Sequence, residues 1–112
     1  MLDQAEARLR QAAQATNARF DRVSHKPPVK SDSRLVTAIA NACQELSLPY
    51  LSMPSGAGHD AMNMAALCPI AMIFVPSHKG VSHSPDEYTT PEACVHGARL
   101  LLATLLNVDD LL

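Results

Sequence analysis

The feature that most constrains the fold is an apolar run without alternation, PIAMIFV at residues 69–75. A strand with one face in water alternates apolar and polar residues, whereas a strand inside a parallel sheet is covered on both faces and is apolar throughout. Residues 69–75 are therefore predicted to form an interior strand of a mostly parallel sheet covered by helices.

The segments around this run alternate between helical and extended patterns. From residue 31 onward the predicted order is helix (34–46), strand (49–53), short helix (59–67), strand (69–75) and helix (89–108). This order is typical of an α/β fold, in which functional loops lie beyond the carboxyl ends of the strands.

The amino-terminal part does not follow this pattern. Residues 2–17 predict an amphipathic helix that Asn17 ends, and residues 18–25 predict a half-buried strand. The pair Pro27-Pro28 then interrupts the chain. We place a domain boundary there, which gives domains at residues 1–30 and 31–112.

Two helix starts are predicted from capping residues. Residues 31–33 offer N-cap candidates for the helix at 34–46. Thr89 and Glu92 have the spacing of a capping box for the last helix, with Pro91 in its first turn.

Composition excludes several classes of function. The formal net charge is −2 with scattered basic residues, and only two Tyr and two Phe could stack on bases, so no nucleic-acid partner is expected. No apolar run reaches the roughly 18 residues of a membrane span, and the first residues lack the apolar centre of a signal peptide. A cytoplasmic protein without a membrane partner is expected. Cys43, Cys68 and Cys94 are predicted to be small buried residues rather than a disulfide or zinc framework.

The first loop (residues 54–60, PSGAGHD) joins a predicted strand to a predicted helix. Its glycines, Gly56 and Gly58, would allow a sharp turn, and the helix N–H groups near His59 and Asp60 favour an anionic substrate group. An equally weighted interpretation is structural: the glycines shape a turn, Asp60 caps the helix and His59 packs.

The second loop (residues 76–88, PSHKGVSHSPDEY) follows the apolar run. His83 could give a neutral imidazole nitrogen to zinc or a similar ion, and Gly80 would allow the chain to fold back. His78 is interpreted as solvated, and Asp86 and Glu87 as caps or surface charges. The spacing predicts fragments of a metal site rather than a complete one.

The stretches SGAGHDA and MIFVPSHKGVSHSPDEY closely resemble the C-terminal part of one enzyme family. It contains N-carbamoyl-L-amino-acid hydrolases, allantoate amidohydrolases and beta-ureidopropionases, which are binuclear amidohydrolases related to zinc peptidases. The resemblance implies that residues 1–30 end a lid, or dimerisation, domain. It implies that residues 31–112 are the C-terminal portion of the metal-binding catalytic domain.

The resemblance also implies roles for individual residues. His83 matches a metal ligand, and His59 matches a polar wall of the substrate cleft. The remaining matches are a substrate-contacting segment, Gly80, Val81 and Ser82, and a structural cleft loop, Ser55, Gly56, Gly58 and Asp60. No catalytic residue is expected in this chain, because the family's general base and other metal ligands come from upstream segments.

The implied activity is hydrolysis of a linear amide C–N bond in an N-carbamoyl amino acid or an allantoate-type ureido compound. Two divalent ions are implied, zinc or manganese, with cobalt or nickel as alternatives, together with a homodimer. The chain alone is expected to be inactive and not a stable monomer, because it needs the rest of the catalytic domain. Alternative hypotheses are an exopeptidase or aminoacylase of the same clan and a noncatalytic interaction module.

Overall fold

The computed structural model describes residues 2–109. In this part of the chain the regular elements are helices. They are α1 (Leu2–Ala15), α2 (Ser33–Glu45), α3 (Ala61–Met64) and α4 (Pro91–Asp109), with a single 3₁₀ turn at His78–Gly80. The helices predicted from the sequence are confirmed, with ends shifted by a few residues.

Helix α2 begins and ends with local hydrogen bonds. The Arg34 backbone N–H donates to the Asp32 carboxylate at 2.8 Å, so Asp32 is the N-cap within the predicted window of residues 31–33. At the other end Ser47 adopts a left-handed backbone with φ 54°, and the Leu48 N–H donates to the Cys43 carbonyl at 2.8 Å.

Helix α4 begins one residue later than the capping box predicts. The Thr90 hydroxyl, rather than that of Thr89, accepts the Ala93 N–H at 3.2 Å. Pro91 occupies the first helical position, where its missing N–H costs no hydrogen bond and its fixed φ suits the helix.

The core lies between α2 and α4. Its buried residues are Ala42, Cys43 and Leu100, and Ile39 and Leu46 pack against them. Alanines on α2 allow the two helices to approach closely, and the amide of Asn107 donates to the Glu45 carboxylate across the helix pair at 3.2 Å.

The cysteines do not share one environment. Cys43 is buried, and desolvation raises the pKa of its thiol. Cys68 and Cys94 are exposed, so the prediction of three buried cysteines is wrong for these two. All three are free thiols.

Residues 69–75 have no regular secondary structure and lie beside the helix pair. Ile73 packs on the core, and the Asp32 backbone N–H donates to the Ile70 carbonyl at 2.8 Å. Gly97 of α4 faces the same segment: a Cβ there would lie 2.5 Å from Cγ1 of Val75, so only glycine allows this approach without a shift.

The structure assigns no strand within residues 2–109, so the predicted sheet is not confirmed. A strand exists through hydrogen bonds to a neighbouring strand, and residues 71–76 have no such partner in the described part of the chain. The segments predicted as strands at 18–25 and 49–53 are also irregular, and Leu51 is 80% exposed.

Helix α1 contacts the segment that follows it. Arg10 lies over the Phe20 ring at 5.0 Å, and the Glu6 carboxylate accepts from both Arg10 and Arg22 at 2.8 Å. These contacts lower the pKa of Glu6, chiefly through the hydrogen bond from Arg10. The domain boundary after residue 30 stays a prediction.

The molecule is extended. Its radius of gyration is 18.9 Å, compared with about 13 Å for a compact domain of this length. Its accessible surface is 9345 Å², compared with about 6,000 Å² for a folded monomer of this mass. None of the helices at residues 2–109 has the length and apolarity to cross a membrane.

Candidate functional site

In the first loop a serine contacts the histidine. Ser55 Oγ lies 2.9 Å from Nε2 of His59. The same hydroxyl donates to the Ala57 carbonyl at 3.1 Å and accepts the Ala57 N–H at 3.2 Å. These contacts join the two ends of the loop and fix one edge of the imidazole.

The face of the His59 ring packs on the apolar segment. The Phe74 ring lies 5.5 Å away, centroid to centroid, at an interplanar angle of 61°, which is an edge-to-face arrangement. His59 is half-buried as a result. Because Phe74 stands three residues before Ser77, the first loop lies against the segment that leads into the second loop.

The other predicted residues of the first loop have simpler roles. Gly56 and Gly58 have ordinary backbone angles, and a Cβ at Gly56 would meet no atom within 4 Å. The chain bends at residues 56–57 without using the left-handed region that favours glycine, so whether the bend requires glycine stays a prediction. Asp60 precedes α3 without a side-chain cap hydrogen bond, and Ser55, rather than Asp60, contacts the His59 ring.

The second loop is closed at its base. The His78 N–H donates to the Tyr88 carbonyl at 2.7 Å, and the Ser77 hydroxyl donates to the Val81 carbonyl at 2.5 Å. Its ends therefore lie side by side, as in a compact surface loop packed by its own groups.

His83 adopts a left-handed backbone conformation. Its φ is 56°, a region that costs a residue with a Cβ roughly 1–2 kcal/mol. The Glu87 carboxylate accepts the His83 backbone N–H at 2.9 Å and holds this conformation. The His83 residue is exposed at the surface of the loop.

The segment before His83 also turns through the left-handed region. Gly80 has φ 68°, which agrees with the expectation that it lets the chain fold back, and Lys79 has φ 54°. Val81 is half-buried and Ser82 is exposed. The structure thus places Ser82 and His83 together on the outer surface of the loop.

The described residues do not form a complete metal centre. Among residues 2–109 no three His, Cys, Asp or Glu side chains are grouped as they would be around an ion. A catalytic zinc site needs about three protein ligands. His83 can supply one imidazole, so the donor set of residues 2–109 does not fit a binuclear site by itself.

The sequence predicted that the two loops converge on one cleft. The structure places the first loop on Phe74 and the second loop after it, but it gives no hydrogen bond between the two loops among the described side chains. Convergence of His59 and His83 therefore stays a prediction.

Two open grooves lie elsewhere. One, of about 460 Å³, lies between α2 and α4 beside Ile39 and Leu105. The other, of about 390 Å³, lies beside Lys30 and Ile70. Neither is lined by a predicted site residue.

Two contacts were not predicted from the sequence: that of Ser55 with the His59 ring and that of Glu87 with the His83 backbone. In each case the polar partner lies four residues from the histidine, in a loop that also contains glycine or proline. This spacing is the one signal that would have indicated them.

Comparison with known proteins supports the resemblance. A model of "Peptidase family M20/M25/M40" matches residues 5–107. A ureidoglycolate hydrolase of Arabidopsis thaliana is 41% identical over 90 residues, which are 80% of this chain and 19% of that protein. An N-carbamoyl-L-amino acid amidohydrolase of Geobacillus stearothermophilus is 44% identical over 85 residues, which are 76% of this chain and 21% of that protein.

The chain spans about a fifth of the length of these relatives. The crystal structure of AtUAH in complex with (S)-hydroxyglycine is similar to it with a TM-score of 0.77 and 34% identity, over 93% of this chain and 25% of that chain. The predicted family resemblance is confirmed, and the fold is that of the corresponding part of AtUAH. Because the family model matches nearly its whole length, the chain belongs to peptidase family M20/M25/M40.

Proposed function

We propose that this chain is the part of a metal-dependent amidohydrolase that supplies one metal ligand and two substrate-cleft loops. The reaction is hydrolysis of a linear amide C–N bond in a ureido compound of the N-carbamoyl amino acid, allantoate or ureidoglycolate type. The observation that carries the proposal is the second loop, where Glu87 holds His83 in a left-handed conformation at the loop surface.

The substrate class rests on the relatives. Their names specify ureidoglycolate and N-carbamoyl amino acids, compounds that share a carbamoyl group on nitrogen. Each also carries a carboxylate. In each of the two loops that resemble this family a polar side chain contacts the histidine, Ser55 with His59 and Glu87 with His83.

The proposed roles follow the position of each residue. His83 donates an imidazole nitrogen to a divalent ion, zinc or manganese, and Gly80, Val81 and Ser82 lie against the substrate. His59 forms a polar wall of the cleft, and the Phe74 ring packs against its imidazole.

The remaining parts of the site must come from polypeptide other than the described residues. Residues 2–109 hold no group of three metal-ligating side chains, so the other ligands and the general base are proposed to belong to the rest of a catalytic domain. We expect the 112-residue chain alone to be inactive toward ureido compounds. A homodimer is part of the same proposal.

A chimera tests the proposal. In the Geobacillus relative the 85 matched residues are replaced by those of this chain, and ammonia release from N-carbamoyl-L-amino acids is measured. We expect the chimera to be active. His83→Ala should lower kcat/KM more than about 100-fold, because loss of even an indirect partner of a metal ligand costs about 10–100-fold.

His78→Ala in the same chimera is the matched control. Its ring is exposed in the same loop and should leave kcat/KM nearly unchanged. An active chimera in which His83→Ala behaves like His78→Ala would contradict the assignment of His83 as a ligand.

A peptidase or aminoacylase of the same clan is the second candidate. The description of the matching family model, a peptidase family, favours it. The same chimera distinguishes the two functions when it is assayed with dipeptides and N-acetyl amino acids. Hydrolysis of these compounds without hydrolysis of ureido compounds would replace the first proposal by the second.

A further inference from the structure

The hydrogen atoms of the first loop determine which nitrogen of His59 is protonated. The Ser55 hydroxyl has one hydrogen and two acceptor lone pairs. Three groups surround its oxygen: the Ala57 carbonyl at 3.1 Å, the Ala57 N–H at 3.2 Å and His59 Nε2 at 2.9 Å. The hydroxyl donates its single hydrogen to the Ala57 carbonyl, which can only accept.

The other two groups, the Ala57 N–H and His59 Nε2, must then donate to the serine oxygen. The Ala57 N–H fills one lone pair, and Nε2 of His59 fills the other only if it carries a hydrogen. If Ser55 instead donated to Nε2, its contact with the Ala57 carbonyl would have no hydrogen. All three contacts are therefore satisfied by one tautomer of the neutral imidazole, with hydrogen on Nε2 and a lone pair on Nδ1.

Two contacts restrict the orientation of the His59 ring. Ser55 contacts one edge of the imidazole, and the Phe74 ring packs against the imidazole at 5.5 Å between centroids. A 180° flip about the Cβ–Cγ bond would put Cε1 in the place of Nε2 and lose the 2.9 Å contact. No described side chain or backbone group donates a hydrogen bond to Nδ1. The lone pair on Nδ1 is thus left for a ligand that offers an N–H.

We propose that Ser55 is a positioning residue that keeps neutral His59 in its Nε2–H tautomer, so that Nδ1 accepts a hydrogen bond from an N–H of the ureido substrate. This inference rests on the proposed function for the identity of the ligand. It adds to that function a specificity rule: the first loop selects compounds with an N–H donor, which N-carbamoyl compounds have and their fully N-methylated analogues lack.

The tautomer can be measured directly in this chain by NMR. Long-range ¹H–¹⁵N correlation spectra of ¹⁵N-labelled protein separate protonated from unprotonated imidazole nitrogens. The spectra are recorded at increasing alkaline pH until the ring resonances no longer change, so that only the tautomers of the neutral imidazole are compared. His25, which is exposed in an irregular segment, serves as the internal reference for an unconstrained ring.

We expect His59 to be wholly in the Nε2–H form while His25 shows a mixture of the two tautomers. Ser55→Ala should bring His59 to the mixture of His25, whereas Ser55→Thr, which keeps a hydroxyl, should retain the wild-type form. The proposal is overturned if His59 already matches His25 in the wild type, or if Ser55→Ala leaves its tautomer unchanged. The wild-type comparison decides the matter even if a variant fails to fold.

Titration of the metal-free Geobacillus chimera with N-carbamoyl-L-alanine tests the ligand, because the rest of the proposed substrate site lies outside this chain. We expect the Nδ1 resonance of His59 to move toward that of a protonated nitrogen, and the fully N-methylated analogue to leave it in place. An unmoved Nδ1 resonance, or equal movement with both compounds, overturns this part. The tautomer measurement needs no turnover, so its failure is distinguishable from failure of the chimera to hydrolyse ureido compounds.

Discussion

At the scale of single residues, each of the two loops fixes a histidine in a similar way. A polar side chain four residues from a histidine fixes that histidine, through the ring in Ser55–His59 and through the backbone in Glu87–His83. The two histidines could be selected as candidates from residue type and loop position, and their roles as ligand and polar wall stay predictions. Their partners could not be selected, because an exposed Ser or Glu in a loop has many equivalent surface roles.

Glu87 is predicted to determine the backbone of His83. In Glu87→Ala the His83 N–H loses its acceptor at 2.9 Å, and the left-handed backbone, which costs about 1–2 kcal/mol, is no longer compensated. We expect faster amide hydrogen exchange at His83 and a change in its ³J(HN–Hα) coupling toward that of an extended residue.

Glu87→Gln is the control for this change. Its amide oxygen can accept the same hydrogen bond, so the exchange rate and coupling of His83 should stay near those of the wild type. Unchanged values in Glu87→Ala would show that other parts of the loop maintain the φ of 56°.

At the scale of elements, local signals were sufficient for helices and insufficient for strands. Helices α2 and α4 have capping residues and periodic apolar positions within their own sequences, so their existence and ends could be predicted to within a few residues. Residues 69–75 have the composition of an interior strand, but strand pairing depends on a second segment. In the described residues that second segment is absent, so residues 69–75 form no ladder and no strand.

The contact between α4 and residues 69–75 is predicted to depend on Gly97. In Gly97→Ala the new Cβ would lie 2.5 Å from Val75 Cγ1. Overpacking costs about 1–3 kcal/mol, and alanine in a helix recovers up to about 1 kcal/mol. We expect a net loss of about 1 kcal/mol in the free energy of unfolding, measured by urea denaturation.

The double variant Gly97→Ala/Val75→Ala is the matched control. Removing the valine methyl groups removes the clash, so the double variant should be more stable than Gly97→Ala. Val75 is 37% exposed, so its own truncation should cost little. A Gly97→Ala variant as stable as the wild type would show that the segment is free to move away from α4.

The start of α2 is predicted to depend on pH through Asp32. Hydrogen bonds from the Arg34 side chain and backbone lower the pKa of the Asp32 carboxyl to about 2 from its ordinary 3.8. A lowered carboxyl pKa stabilises the folded form above the ordinary value, and this stabilisation is lost as the pH falls from about 3.8 through about 2. Helicity measured by circular dichroism should decrease over this window.

The variant Asp32→Asn removes the titratable charge and keeps the N-cap hydrogen bond. An amide oxygen still accepts the Arg34 N–H but does not titrate, so the variant should lack the decrease in helicity between pH 3.8 and about 2 that is due to Asp32. An NMR titration of the Asp32 carboxyl carbon measures the pKa itself. A midpoint near 3.8 would contradict the prediction.

At the scale of the whole molecule, the core is too small for the apolar residues around it. Helix α4 has Leu100 toward α2, but a second stripe of Val95, Leu102 and Leu106 faces away from α2 and is 56–63% exposed. A helix that is apolar on several sides is normally enclosed by other parts of a protein. The radius of gyration of 18.9 Å, larger than that of a compact domain of this length, agrees with a core that encloses few of the apolar residues.

This exposed stripe is predicted to make the isolated chain self-associate. Sedimentation velocity over a range of concentrations should show species larger than 12.0 kDa, because contiguous apolar surface of this kind favours association. Leu106→Lys should reduce association, since Leu106 is 63% exposed and its replacement places a charge within the stripe. Gln11→Lys, which adds the same charge on exposed α1, should leave it unchanged. A wild-type chain that sediments as a monomer at every concentration would contradict self-association through this stripe.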